Sequence, residues 1–143
     1  MTYRPYDQIT AVGLSDQRAN SSGVPMPRAT PVRMRPDGDM DFIDVSVETH
    51  AFAASGITSE IIQNLSTGPV LTSGRLANVI TSFDFGDPVY VSKAGDLTNV
   101  KPSLGVGGFI SGDFIIAIGV IGKNADNPAN KDIILNIGLV GQL

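Results

Sequence analysis

The clearest pattern in the chain is alternation. Between Asp41 and Thr49, Ile43, Val45 and Val47 fall on one side of an extended backbone, and Phe42, Asp44, Ser46 and Glu48 on the other. A period of two with a mostly polar outer face predicts a strand that covers a core on one side only. Asp37-Gly38-Asp39 ahead of it is a turn signal. The period then changes. In Gly56–Leu65 the residues Ile57, Ile61 and Leu65 share one helical face, Thr58 or Ser59 can cap it, Glu60 suits its first turn, and Gly68-Pro69 ends it. This predicts one short helix.

After the helix the pattern is of short apolar runs between glycine-rich turns. Strands are expected near Val70–Thr72, Leu76–Phe83, Pro88–Ser92, Val100–Pro102, Phe114–Ile121 and Asp132–Val140. Lys93-Ala94-Gly95-Asp96 predicts a tight hairpin joining Val89-Tyr90-Val91 to Leu97-Thr98-Asn99. Asn124–Asn130 reads as a polar loop between the last two strands. Those two strands are unusual. Phe114–Ile121 is apolar on both faces, and Ile133–Val140 is fully apolar on one face and half apolar on the other. A sheet that covers one core should turn a polar face to water. The expectation is a subunit interface over Phe114, Ile116, Ile118, Ile134 and Val140, within a homo-oligomer.

Residues 1–38 read differently. Pro5, Pro25, Pro27, Pro31 and Pro36 punctuate them, and Asn20-Ser21-Ser22-Gly23 is a turn or linker. A residue before proline is pushed toward extended backbone, so the segment is expected to be an extended N-terminal arm, with 39–143 as the β-rich domain. Charge separates the two parts. Residues 1–35 carry Arg4, Arg18, Arg28, Arg33 and Arg35 against Asp7 and Asp16, a net of +3; the remainder holds five basic and twelve acidic groups, a net of −7, which together make −4. An arginine-bearing arm on an acidic body suggests docking on something negative. Five dispersed arginines without a dense cluster rank nucleic acid last among the partners. The docking set is expected to be Arg28, Val32, Arg33, Met34 and Arg35, and removal of residues 1–35 to abolish docking and leave the body folded.

Chemistry is poorly supplied. There is no cysteine, and the only histidine, His50, ends a predicted strand with no Gly-x-Ser-x-Gly elbow to supply a nucleophile. Asp37, Asp39 and Asp41 alternate as calcium ligands do, and Glu48 matches the twelfth position of such a loop, but Phe42 stands where its glycine belongs. Asp84 and Asp87 flank a turn, and Gly105-Val106-Gly107-Gly108 lacks the lysine and helix of a phosphate loop. No catalytic residue, metal or cofactor is expected. Leu104–Gly122 is long and almost uncharged, but Ser111-Gly112-Asp113 interrupts it, so a loop and a strand are expected there and no membrane partner. Met1–Tyr6 has no apolar stretch of the secretory kind, so synthesis in the cytoplasm is expected.

The segment Gly86-Asp87-Pro88-Val89-Tyr90-Val91-Ser92-Lys93-Ala94-Gly95-Asp96-Leu97-Thr98 resembles a stretch common in the head decoration, or capsid cement, proteins of tailed bacteriophages. A glycine-containing loop, a strand like Ile118-Gly119-Val120-Ile121 and a last strand extend the resemblance over roughly residues 70–143. It implies an all-β fold, a small β-barrel or β-sandwich, with one short helix and the N-terminal arm. It also implies a structural virion protein on the capsid exterior, commonly a trimer, that clamps neighbouring major capsid proteins. The alternative is a tail fibre, spike or baseplate module with a receptor- or glycan-binding tip at Asn124–Asn130. An enzyme, such as a glycan hydrolase, would need a cleft with two facing carboxylates.

Overall fold

A computed structural model describes residues 11–143. The fold is all-β with one short helix. In chain order the elements are β1 (Ala11–Val12), β2 (Ser15–Ala19), β3 (Pro31–Met34), β4 (Met40–Phe42), α1 (Glu48–Ala53), β5 (Ala54–Thr58), β6 (Thr67–Leu71), β7 (Arg75–Val79), β8 (Pro88–Val91), β9 (Leu97–Thr98), β10 (Phe114–Lys123) and β11 (Lys131–Gln142). They form two curled sheets, β1-β7-β11-β10-β8-β9 and β2-β6-β5-β3-β4. The strands of each ladder run antiparallel. A parallel bridge from Asn20 to Met40 brings the two ends of the five-stranded sheet together.

Each sheet builds its core by alternation. The main core lies between the sheets, with Phe114, Ile116, Ile118 and Ile121 from β10, Ile133 from β11, Val89 and Val91 from β8, and Ile57 and Leu71 from the smaller sheet. The second core, Met26, Val32, Met40, Ile62 and Val70, lies inside the curl of the five-stranded sheet. Val70 and Leu71 are adjacent, both fully buried, and serve different cores. That is the period of two acting on a strand covered twice.

On β10 the inward spacing steps from two to three between Ile118 and Ile121. A register shift between Ala117 and Gly119 absorbs the extra residue. Gly119 is required there, because a Cβ would lie 2.0 Å from the Ile134 carbonyl oxygen.

Several expectations are corrected. The segment Gly56–Leu65 is no helix: β5 ends at Thr58, and Ile57 and Ile62 enter separate cores while Ile61 and Leu65 stay exposed. Close approach decides this, since a Cβ on Gly56 would lie 2.3 Å from Val70 Cγ1 and strand pairing can tolerate only glycine there. The helix is α1, where the first predicted strand was to finish. Ile43 and Val45 do face the core, but strand pairing stops at Phe42. The Asp44 carboxylate accepts from Ser46 N–H and Oγ, which turns the chain. Val100–Pro102 pairs with nothing in a strand, and the strand expected over Leu76–Phe83 ends at Val79.

The described part of the N-terminal arm is not free. β2 and β3 lie inside the five-stranded sheet, and Met26 and Val32 are wholly buried. Hydrophobic burial overrides the proline punctuation, with Pro31 opening β3 at its first position, where a missing N–H costs least. Residues 1–10 of the arm lie outside the described residues. Deletion of residues 1–35 thus removes three strands, β1 to β3, and with Met26 and Val32 two of the five buried residues of the second core, and is not a test of docking.

The hairpin is as expected: Tyr90 pairs with Thr98 and Val91 with Leu97. No helix among the described residues is long and apolar enough to cross a membrane.

Candidate functional site

Two surfaces collect the expected site residues. The first is a groove of about 580 Å³ between the end of β3 and α1, lined by Arg33, Met34, Arg35, Pro36, Thr49 and Phe52 among others. Phe52 is 69% exposed and Met34 40%. The arginines are held in place from below. Arg33 donates to the Phe42 carbonyl at 3.2 Å and pairs with Asp41 at 3.4 Å. Arg35 donates to the Ser21 carbonyl at 3.1 Å and faces Asp37 at 3.6 Å. An aromatic ring and two oriented guanidinium groups around an open groove suit an acidic segment with an apolar anchor.

Two of the expected docking residues are not in this groove. Val32 is 0% exposed and belongs to the second core. Arg28 points the other way, donating to the carbonyls of Ser59 at 3.0 Å, of Asn78 at 3.2 Å, and of Ala77. Burial lowers its pKa, partly offset by Asp132. Neither side chain is available to a partner, because the fold consumes both.

The second surface is the outer face of the six-stranded sheet. A depression of about 380 Å³ is lined there by Pro88, Val89, Tyr90, Ala117, Gly119, Val120, Ile134, Asn136 and Val140, none of them charged. Val120 pairs with Ile134 across β10 and β11. Val140 is 55% exposed. Of the expected interface residues, Ile134 and Val140 lie here, whereas Phe114, Ile116 and Ile118 are at most 7% exposed and pack in the chain's own core. The five-stranded sheet supplies the cover expected from another subunit on that side. Sequence reasoning missed Val120 and Tyr90. The register shift at Gly119 that takes Val120 out of the inward series arises from tertiary pairing and leaves no signal in the sequence.

The candidate chemical groups serve structural ends. His50 Nδ1 accepts from Asp44 N–H at 3.0 Å, and burial, then Arg33, pulls its pKa below 6.5 against the pull of Asp44 and Asp41. Asp87 accepts from Asn99 at 2.9 Å and from Asp84 N–H at 2.9 Å, which lowers its pKa and closes the turn before β8. Asp39 accepts from Ser21 Oγ at 2.6 Å, and Asp37 from Asp39 N–H at 3.0 Å. In the Asn124–Asn130 loop the Asn124 side chain accepts from the backbone N–H of Asp126 and Asn127, each at 3.0 Å, and donates to Asp132 at 3.1 Å. Beside it Asn78, Ala129, Asn130 and Lys131 help line an open depression of about 510 Å³. Another apolar surface lies in the loop before β10, where Leu104 and Ile110 are 62% and 61% exposed.

Compared with known proteins, the chain matches no family model, and no curated protein or solved structure matches it significantly.

Proposed function

We propose that this chain is a structural assembly protein of a tailed-phage head, bound to the capsid exterior as a decoration, or cement, protein. The observation that carries the reading is the uncharged outer face of β8, β10 and β11, with Val120 and Val140 exposed and Ile134 half-buried beside them. An apolar patch of this kind marks a contact surface on a folded domain. The groove at Arg33, Arg35 and Phe52 provides a second, chemically different surface, suited to an acidic segment of the major capsid protein. The resemblance of Gly86–Thr98 to head decoration proteins directs the reading to the capsid.

The mechanism needs no bond making. A ligand that binds only the assembled shell stabilises it by mass action, by about 2.7 kcal/mol per site at a free concentration one hundred times Kd. Mass spectrometry of purified virions tests the proposal through copy number relative to the major capsid protein. Hundreds of copies are expected. A handful would place the chain in a tail instead, and none would end the reading.

A further inference from the structure

Sheet edges present unpaired N–H and C=O groups, and proteins that stay monomeric blunt them with charge, proline, shortness or cover. That blunting is visible around this fold. β9 has two residues, and β8 opens with Pro88. β1 has two residues, and Arg28 occupies the neighbouring carbonyls of Ala77 and Asn78 on β7. β2 carries Asp16 and Arg18, and the Asn20–Met40 bridge links the ends of its sheet.

β11 is the exception. It pairs with β7 only from Lys131 to Ile134, with Leu135 N–H reaching the Gly74 carbonyl at 2.8 Å. Among the described residues, its one ladder from residue 136 to 142 is with β10. That stretch, Asn-Ile-Gly-Leu-Val-Gly-Gln, has neither charge nor proline. Leu139 is 37% and Val140 55% exposed. A register shift falls at Val140, which joins Ile134 in the outer-face depression.

We propose that a second copy of this chain pairs along the free edge of β11, residues 136–142, antiparallel about a twofold axis, with the outer-face patch flanking the contact. An open strand edge selects an extended chain as its partner. Antiparallel pairing of a strand with itself matches donors to acceptors by symmetry. A neutral edge lets two chains of net charge −4 meet without local repulsion, and it provides no charge by which a foreign partner would be steered. β1, where the described chain begins, lies across β7 from this edge. The inference deepens the assembly reading above but stands on this chain alone.

The test is sedimentation equilibrium of the full chain from micromolar to millimolar concentration, with amide hydrogen exchange read at both ends of that range. The expected result is a two-chain mass and slowed exchange across residues 136–142 at high concentration. Val140→Lys is expected to halve the mass and leave the melting transition in place, while Ile80→Lys, at an exposed site beside the start of β11 and away from residues 136–142, leaves the two-chain mass unchanged. A wild type that stays monomeric overturns the proposal. So does an oligomer that survives Val140→Lys, or one whose 136–142 amides exchange as fast as in the monomer. If Val140→Lys loses its melting transition, exchange in the wild type decides alone. Virion copy number is a separate readout: a dimer absent from heads sinks the capsid reading and leaves the edge pairing standing.

Discussion

Lys93 Nζ lies 2.8 and 2.7 Å from the two carboxylate oxygens of Asp113, and this pair ties the β8–β9 hairpin to the turn that launches β10. Asp113 is 1% exposed and also accepts from Ile110 N–H at 2.9 Å. Burial by itself would raise its pKa, but the Lys93 ammonium and the Ile110 amide outweigh burial and hold it below 3.8. Lys93→Met leaves a buried carboxylate without its cation, and a loss of roughly 3 kcal/mol is expected, the low end for breaking a buried pair. Urea unfolding at neutral pH measures it. A depressed carboxyl pKa adds stability that is fully present above the unfolded value and is lost as pH falls through the folded one. The gap between wild type and Lys93→Met is therefore expected to close on acidification below 3.8.

Arg28 separates a folding role from a docking role. Its guanidinium serves carbonyls on β7 and after β5. Arg28→Ala is expected to cost about 1–3 kcal/mol, because the buried Ala77 carbonyl loses a donor. Arg28→Lys recovers little of that, since a single ammonium cannot reproduce the planar fork. Thermal unfolding of both variants checks this; a purely docking arginine would leave both melting curves unchanged.

Gly119→Ala tests the bulge on β10. The added methyl would meet the Ile134 carbonyl oxygen at 2.0 Å, and this backbone atom can yield only by separating the two longest strands. A loss of roughly 1–3 kcal/mol or more is expected from such overpacking. Gly138→Ala, where a Cβ would meet nothing within 4 Å, is the control on β11. Comparing the two denaturation midpoints settles the matter.

His50 predicts a mild pH response. Its imidazole accepts a hydrogen bond from Asp44 N–H and so must be neutral to keep it, and its pKa lies below 6.5. A group with a lowered folded-state pKa binds fewer protons when folded, so stability falls as pH drops from 6.5 toward the folded value. Amide exchange of Asp44 at pH values either side of 6.5 is the measurement. Corrected for the intrinsic pH dependence of amide exchange, the protection of Asp44 N–H is expected to fall on the acid side, with no such step in His50→Gln.

The groove beside α1 predicts a binding defect that folding does not explain. Phe52→Ser alters a largely exposed side chain, and stability is expected to hold within about 0.5 kcal/mol. Arg35→Glu gives up the Ser21 hydrogen bond and faces Asp37, and a folding loss of about 1 kcal/mol is expected with it. Cosedimentation with undecorated heads is expected to weaken for both, and the effect of Arg35→Glu to shrink with added salt.

The all-β class, the β8–β9 hairpin and the two long C-terminal strands were legible in the sequence, because alternation and turn chemistry are local. The same signals failed where two cores meet. Ile57, Ile61 and Leu65 look like one helical face in the sequence, yet Ile57 alone of the three is buried, while Ile62 beside them fills the other core; Val32 looks like an arm anchor, yet it is wholly buried.

The site divides along the same line. The apolar character of β10 and β11 was decided by the sequence alone. Which face each residue takes was decided only in three dimensions. A one-residue shift at Gly119 reverses inward and outward along β10, and the five-stranded sheet of the same chain, not a neighbour, covers Phe114, Ile116 and Ile118. Likewise Arg28 and Arg35 read alike as exposed cations, and only the position of the β7 carbonyls commits Arg28 to the fold and leaves Arg35 on the groove. Side-chain type is a local property, but burial depends on what the rest of the chain brings alongside.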